Sequence, residues 1–294
     1  MKKPVPPRIY LLAAQKKPVV VLVMRVRVRV FHIVRWKTST DEFEHGSWFR
    51  GNLYPLRADV SFDGRRMVYL AMSKQGNTWN GVCKLPWLRT VAEFESVGSW
   101  YGGGCWLDDD RLAINAYGHC RTPTTNTLKW TGPGNLPFRI ELLPHIGYGE
   151  DEGVLYQRLR RDGWRCEVPM GATGIGGPRD EWTMFSRKQV TWCLRPSEAH
   201  PTLRMGYLGY HDSRGRIYSF SLDQYPGLIQ KDAMWACWDA IGQLIVSRPG
   251  IVERYTLDDF DKGRPSFQKD FAQLEPPARG EQHYLETQSG EELE

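Results

Sequence analysis

The sequence predicts an all-β fold: a β-propeller-like domain of five to seven blades closed by an amino-terminal strand, with a β-sandwich of hairpins as the competing architecture. Three observations lead there. The 294 residues include 29 Gly and 19 Pro, more than the roughly 12% these two usually supply, as a chain with many turns requires. Twelve Trp, thirteen Tyr and eleven Phe suit strands, which favour aromatic and β-branched residues, and argue against a coiled coil or a helical bundle. Strand–turn–strand patterns recur at a spacing of roughly 40–50 residues, the period of four-stranded blades.

Taken in order, residues 1–37 carry ten Lys or Arg and no acid. The apolar runs 9–14 and 19–24 are too short for a signal-peptide core or a spanning helix, so no membrane insertion or secretion is expected and the expected location is cytoplasmic. Residues 19–31 alternate valines with Arg25, Arg27 and Arg29, the period of a strand with one charged face, and read as a solvated edge strand. This segment precedes the first complete hairpin. It is expected to close the ring by pairing with strands near 245–257, valines inward and arginines outward, because closure removes two exposed edges. The division that follows is a basic segment (1–18), one domain (19–274) and an acidic tail (275–294), expected to be disordered, with six Glu against one Arg.

Within the domain, residues 58–71 read as strand, Asp63-Gly64 turn, strand, with Gly64 supplying the positive φ of a tight hairpin. The register repeats with Asp110, Gly215 and Gly242 at the turn position, and weaker hairpins centre on Asp162-Gly163 and Arg187-Lys188. Residues 85–94 and 229–245 leave room for a helical turn or two at most.

Ser61-Phe62-Asp63-Gly64-Arg65-Arg66-Met67-Val68-Tyr69 resembles the S-P-D-G hairpin of TolB-like and WD40-like propellers, with Phe62 where proline is usual. Residues 30–260 more widely, above all from Trp48 through Gly104, resemble a family of uncharacterised bacterial proteins for which no activity is implied. In such propellers the strand before the turn is innermost. The resemblance therefore implies that Arg57, Asp59, Gly104, Cys105 and Asp232 lie near a channel mouth.

Chemical motifs are scarce. The six cysteines show no C-x-x-C and no zinc spacing, and read as free thiols in a reducing compartment. The seven histidines form no H-E-x-x-H and no close pair in sequence, and no G-x-S-x-G is present. The glycine-rich stretch 171–178 lacks the Gly-Lys-Ser/Thr of a phosphate loop and reads as a connection between blades. The acidic runs 108–110 and 150–152 lack an EF-hand pattern and read as solvated turns. No cofactor and no metal is expected. The preferred function is non-catalytic binding of a protein partner by loops around the channel, with Trp48, Arg50, Arg57, Asp59, Trp79, Trp100 and Asp232 as candidate binding residues. The alternatives are a hydrolase or lyase with carboxylates and histidine converging at the channel, and nucleic-acid binding through the basic amino terminus.

Overall fold

Short apolar segments separated by Gly and Asp turns cannot bury both faces alone, so they pair with their neighbours in sequence and stack the resulting sheets. The computed structural model describes residues 5–95, 98–99, 101–115, 128–132, 134–143, 152–167, 191–211 and 215–278. Its strands form five sheets, the blades of a five-bladed propeller.

Blade 1 is the antiparallel meander β1 (Arg8–Ala13), β2 (Val19–Arg27), β3 (Val30–Lys37) and β4 (Glu42–Arg50). In blade 2 the inner strand is split into β5 (Asn52–Leu53) and β6 (Asp59–Val60) by the 3-10 turn Pro55–Arg57. Both pieces pair with β7 (Arg66–Met72), and β8 (Thr78–Lys84) and β9 (Thr90–Glu95) follow outward. Blade 3 contains β10 (Gly104–Trp106) and β11 (Arg111–Ile114). The next strand, β12 (Leu128–Trp130), crosses to the outer edge of blade 2 beside β9, and β13 (Arg139–Leu142) joins β11 in parallel. Helix α1 (Glu152–Arg161) comes next. Blade 4 is β14 (Arg165–Glu167), β15 (Thr191–Leu194), β16 (Leu203–His211) and β17 (Gly215–Leu222). Blade 5 is β18 (Trp235–Trp238), β19 (Leu244–Arg248), β20 (Ile251–Tyr255) and β21 (Phe267–Asp270), with the short helix α2 (Leu257–Phe260) between its last two strands. No described helix is long and apolar enough to cross a membrane.

The inner hairpins share one device. After β6, Asp63 Oδ1 accepts the Arg65 amide at 3.0 Å and Gly64 takes φ +72°. After β10, Asp108 Oδ1 accepts the amides of Asp110 and Arg111 at 3.1 and 2.9 Å, so Asp108 rather than Asp110 organises that turn. After β18, Asp239 Oδ1 accepts the amides of Ile241 and Gln243 at 3.1 and 2.8 Å, with Gly242 at φ +78°. A carboxylate that satisfies the turn amides lets the chain reverse without exposing donors. Gly215 belongs to a different set, because it begins the outer strand β17 of blade 4. Its short spacing from Gly242 therefore separates an outer hairpin from an inner one.

Helix α1 stands on the propeller axis. Leu155 and Leu159 are buried in one cluster with Ile9 and Leu11 of blade 1, Trp192 and Leu203 of blade 4, and Trp235 of blade 5, while Val154 packs with Cys105 and Ala113 of blade 3. Basic residues fill its last turn, where they complement the helix dipole. It ends in a Schellman motif: Gly163, at φ +85°, donates its amide to Arg160 O at 3.1 Å, and Trp164 donates to Leu159 O at 2.9 Å. The expected Asp162-Gly163 hairpin is thus a helix terminus, since both structures ask for glycine at positive φ. Residues 85–94 and 229–245 supply strands instead of helical turns.

Ring closure also departs from expectation. β2 already has two partners, β1 and β3, and the 245–257 region completes its own sheet with β21. The arginine stretch is not one edge strand, because Val28 and Arg29 form the turn between β2 and β3, with Arg29 at φ +57°. The amino terminus still closes the ring, but by side chains, sheet faces and a backbone bond from the Gly250 amide to Pro7 O at 2.7 Å. β1 packs on β18 and β19, and the Ser247 hydroxyl donates to Ile9 O at 2.8 Å. Thr38 Oγ1 donates to Asp239 Oδ2 at 2.5 Å, and Arg254 bridges Thr38 O at 3.1 Å and Asp41 at 2.8 Å.

A Cβ placed at Gly64 would stand 2.8 Å from the Val19 side chain, at a φ that L-residues resist. Gly64→Val is expected to lower unfolding free energy by about 2–3 kcal/mol in chemical denaturation. Gly227→Ala, where a new Cβ meets nothing within 4 Å, should change it by only a few tenths.

Candidate functional site

Of the three basic residues in the last turn of α1, Arg160 is exposed, whereas Arg158 and Arg161 enter a space lined by the inner strands, where their charges must be met. Arg161 forks onto Asp59: Nη1 donates to Oδ2 and to Trp106 O (2.7 Å), and Nη2 reaches Oδ1 at 3.3 Å. Its Nε donates to Asp162 Oδ1 at 2.7 Å. The side chains of Arg161 and Asp59 are 7% and 1% exposed. Asp59 also accepts the Trp106 amide at 2.8 Å, which fastens blade 3 to blade 2. Burial disfavours the Arg161 charge, but Asp59 and Asp162 outweigh it and its pKa is raised. Arg158 is 5% exposed and donates through Nη1 to Ala58 O, with its guanidinium 5.9 Å from the centre of the Trp235 ring. Burial lowers its pKa, against the pull of Asp59 and Asp162. Burial pushes the Asp162 carboxyl up to about 6, although Arg161 and Arg158 favour its charged form.

Beside this network, where α1 ends, a cavity of ≈ 230 Å³ remains between α1, the end of β1 and the end of β18. Arg158 and Asp162 supply its polar wall, and Leu11, Trp164, Trp235 and Trp238 its apolar one. Asp239 also borders it, but both of its oxygens are taken, by the turn amides and by Thr38.

The residues singled out from sequence have separate fates. Arg57 and Asp59 do lie at the axis, but both are buried. Arg57 Nη1 donates to Ser99 O at 2.5 Å and lies over the Tyr54 ring at 5.3 Å. Gly104 and Cys105 are buried on β10. Asp232 is exposed in the loop before β18. Trp48 and Arg50 are on β4, the outermost strand of blade 1, and Trp79 on β8 meets Phe49 edge-on at 5.9 Å. Trp100, the 171–178 stretch and Arg187-Lys188 lie outside the described residues. Arg158, Arg161 and Asp162 went unread because their helix did; the signal was Leu155, Arg158, Leu159 and Asp162 at helical spacing before a glycine.

A histidine pair emerges away from the axis. A bulge in β4, where Gly46 and Ser47 face the single residue Ile33, brings His32 Nε2 to 3.0 Å from His45 Nδ1, while His32 Nδ1 faces Ser47 O at 3.2 Å and its ring stacks on Trp48 at 4.2 Å. A carbonyl only accepts, so His32 Nδ1 carries hydrogen and its Nε2 accepts from His45. Burial drives the His32 pKa down to about 3, assisted by His45, and burial lowers His45 as well. No group of three metal-binding side chains occurs among the described residues. Of the cysteines, Cys83 and Cys105 are buried thiols whose pKa burial raises to about 12, and none of the described cysteines is in a disulfide.

No protein-family model matches the chain, and no curated protein matches it. Among solved structures it is similar to an uncharacterised protein of Listeria monocytogenes, at 10% identity over 95% of this chain and 97% of that one, with a TM-score of 0.35.

The buried titratable groups oppose one another with pH. His32, neutral when folded, gains a proton on unfolding below its ordinary 6.5, so its contribution to stability is lost progressively as pH falls toward 3. Asp162 runs the other way: its raised pKa stabilises the fold at acid pH, and this is lost as pH rises from 3.8 to about 6. Between pH 7 and roughly 4.5, His32→Phe should therefore lose less stability than the unmodified protein by about 2–3 kcal/mol, and Asp162→Asn should lose more by about 2 kcal/mol. Urea unfolding at the two pH values checks both signs.

Proposed function

We propose that the protein is a non-catalytic binding module that engages a protein partner through the loops around its filled axis. One observation carries this reading: α1 occupies the space through which a substrate would reach the inner strands, and Arg158 and Arg161 offset Asp59 and Asp162 there. What faces outward at that end is a set of turns. Ile241, in the β18–β19 turn beside the cavity, is 53% exposed and offers an apolar anchor. The Ser61–Tyr69 hairpin supports kinship with TolB-like and WD40-like propellers, whose loops the reading likens to these. The free cysteines are in keeping with a reducing, cytoplasmic setting.

A hydrolase or lyase is the second reading, favoured by Asp162, a carboxyl raised to about 6 at a cavity, where a general acid would need it. Against it, Asp239 is committed to turn amides and Thr38. Nucleic-acid binding is weaker, since Arg27 already pairs with Glu275 at 3.0 Å.

The test uses the purified chain as bait in extract from its own source cells, beside Ile241→Asp. A protein retained stoichiometrically by the unmodified chain and lost with Ile241→Asp, at unchanged melting temperature, is the expected result. Turnover of an ester, phosphoester or uronate substrate that disappears in Asp162→Asn would replace this reading with the enzyme.

A further inference from the structure

Arg158 presents an unusual problem of charge. Its side chain is nine-tenths buried or more, yet its only hydrogen bond among the described residues is from Nη1 to Ala58 O. A guanidinium has five N–H donors, and a buried charge is held at a cost unless those donors find acceptors. Arg158 lines the cavity. Four residues later, Asp162 takes both Arg161 contacts on Oδ1, at 2.7 and 2.6 Å, and no described donor reaches its Oδ2. The spacing puts the two groups on one face of the helix end, both lining the same cavity.

The charges already present restrict what can enter. Asp239 at the border is held by Thr38 and two turn amides and feels the charge of Arg254. Of the other groups, Arg158 and Arg161 balance Asp59 and Asp162, so a ligand with net charge would leave one unit uncompensated in a partly buried site. A ligand that carries one charge of each sign would not. The remaining walls, Leu11, Trp164, Trp235 and Trp238, ask for an apolar body. At about 30 Å³ per water the ≈ 230 Å³ cavity holds roughly eight waters, the size of a molecule of about nine heavy atoms.

From these observations we propose that the cavity at the end of α1 binds a small zwitterion, an apolar α-amino acid, with its carboxylate on Arg158, its ammonium on Asp162 Oδ2 and its side chain among Trp164, Trp235 and Trp238. The site is separate from the exposed turn at Ile241 and stands whether or not a protein docks there.

Titration calorimetry with L-leucine on the full chain tests it, with 4-methylpentanoate, 3-methylbutylamine, glycine and inorganic phosphate as comparisons. Leucine should bind saturably and raise the melting temperature. The acid, the amine and glycine should each bind at least about tenfold more weakly, because each lacks one of the three contacts. Asp162→Asn should weaken leucine about tenfold or more while leaving 4-methylpentanoate no weaker. Ala13→Phe, which fills the cavity without touching its charges, should abolish binding at unchanged circular dichroism. No heat with leucine at about 10 mM overturns the proposal. So do 4-methylpentanoate or phosphate binding as tightly as leucine, or leucine binding untouched by both variants.

Discussion

The contact between Arg161 and Asp59 constrains more of this molecule than any other. A guanidinium on the propeller axis has little water to solvate it, so its charge must be met by a carboxylate in forked geometry, and Asp59 meets it from the inner strand of blade 2. The same carboxylate accepts the Trp106 amide, and Arg161 also donates to Trp106 O, so blades 2 and 3 and the axial helix share one network. Arg158 adds a bond to Ala58 O, one residue before Asp59. With α1 held there, Leu155 and Leu159 complete the cluster formed by blades 1, 4 and 5. Removing either member of the pair would leave its partner charged and buried, an energetic defect far larger than the loss of a surface salt bridge.

A second constraint acts at the seam between the first blade and the last. Propellers commonly close by sharing a strand between chain ends, whereas among the described residues the seam holds no ladder, and it is joined by Thr38, Asp239, Ser247 and Arg254 and by one backbone bond from Gly250 to Pro7 O. Asp239 serves two elements at once: one oxygen shapes the β18–β19 turn and the other receives Thr38. Because that turn borders the cavity beside α1, closure of the ring and the shape of the candidate site depend on the same side chain.

The legible parts of the sequence are those where a local rule and the tertiary structure ask for the same residue. Asp63-Gly64 and Gly242 marked inner hairpins because a carboxylate or a positive-φ glycine is needed wherever a tight turn reverses the chain. The same local rule misled at Asp162-Gly163, since a helix C-terminus needs that glycine too, and at Gly215, which lies in an outer hairpin. Asp59, which the resemblance put near a channel mouth, lies buried on the inner strand of blade 2. Its partner was invisible, because a pair 102 residues apart leaves no periodic trace. α1 escaped notice for a physical reason: it packs against several blades at once, so Arg158 is buried alongside Leu155 and Leu159 where a surface helix would carry only its apolar stripe, and only Arg160 is exposed in its last turn. The pairing of His32 with His45 depends on a bulge in β4 that no residue pattern announces.

A double-mutant cycle on Asp59→Asn and Arg161→Gln, read by urea unfolding at pH 7, bears most directly on the axial pair. Each single substitution should cost about 3–5 kcal/mol, and the double variant should be no less stable than the worse single one, giving a coupling of about 3 kcal/mol or more. Single effects below about 0.5 kcal/mol that simply add would mean that the pair does not hold the axis.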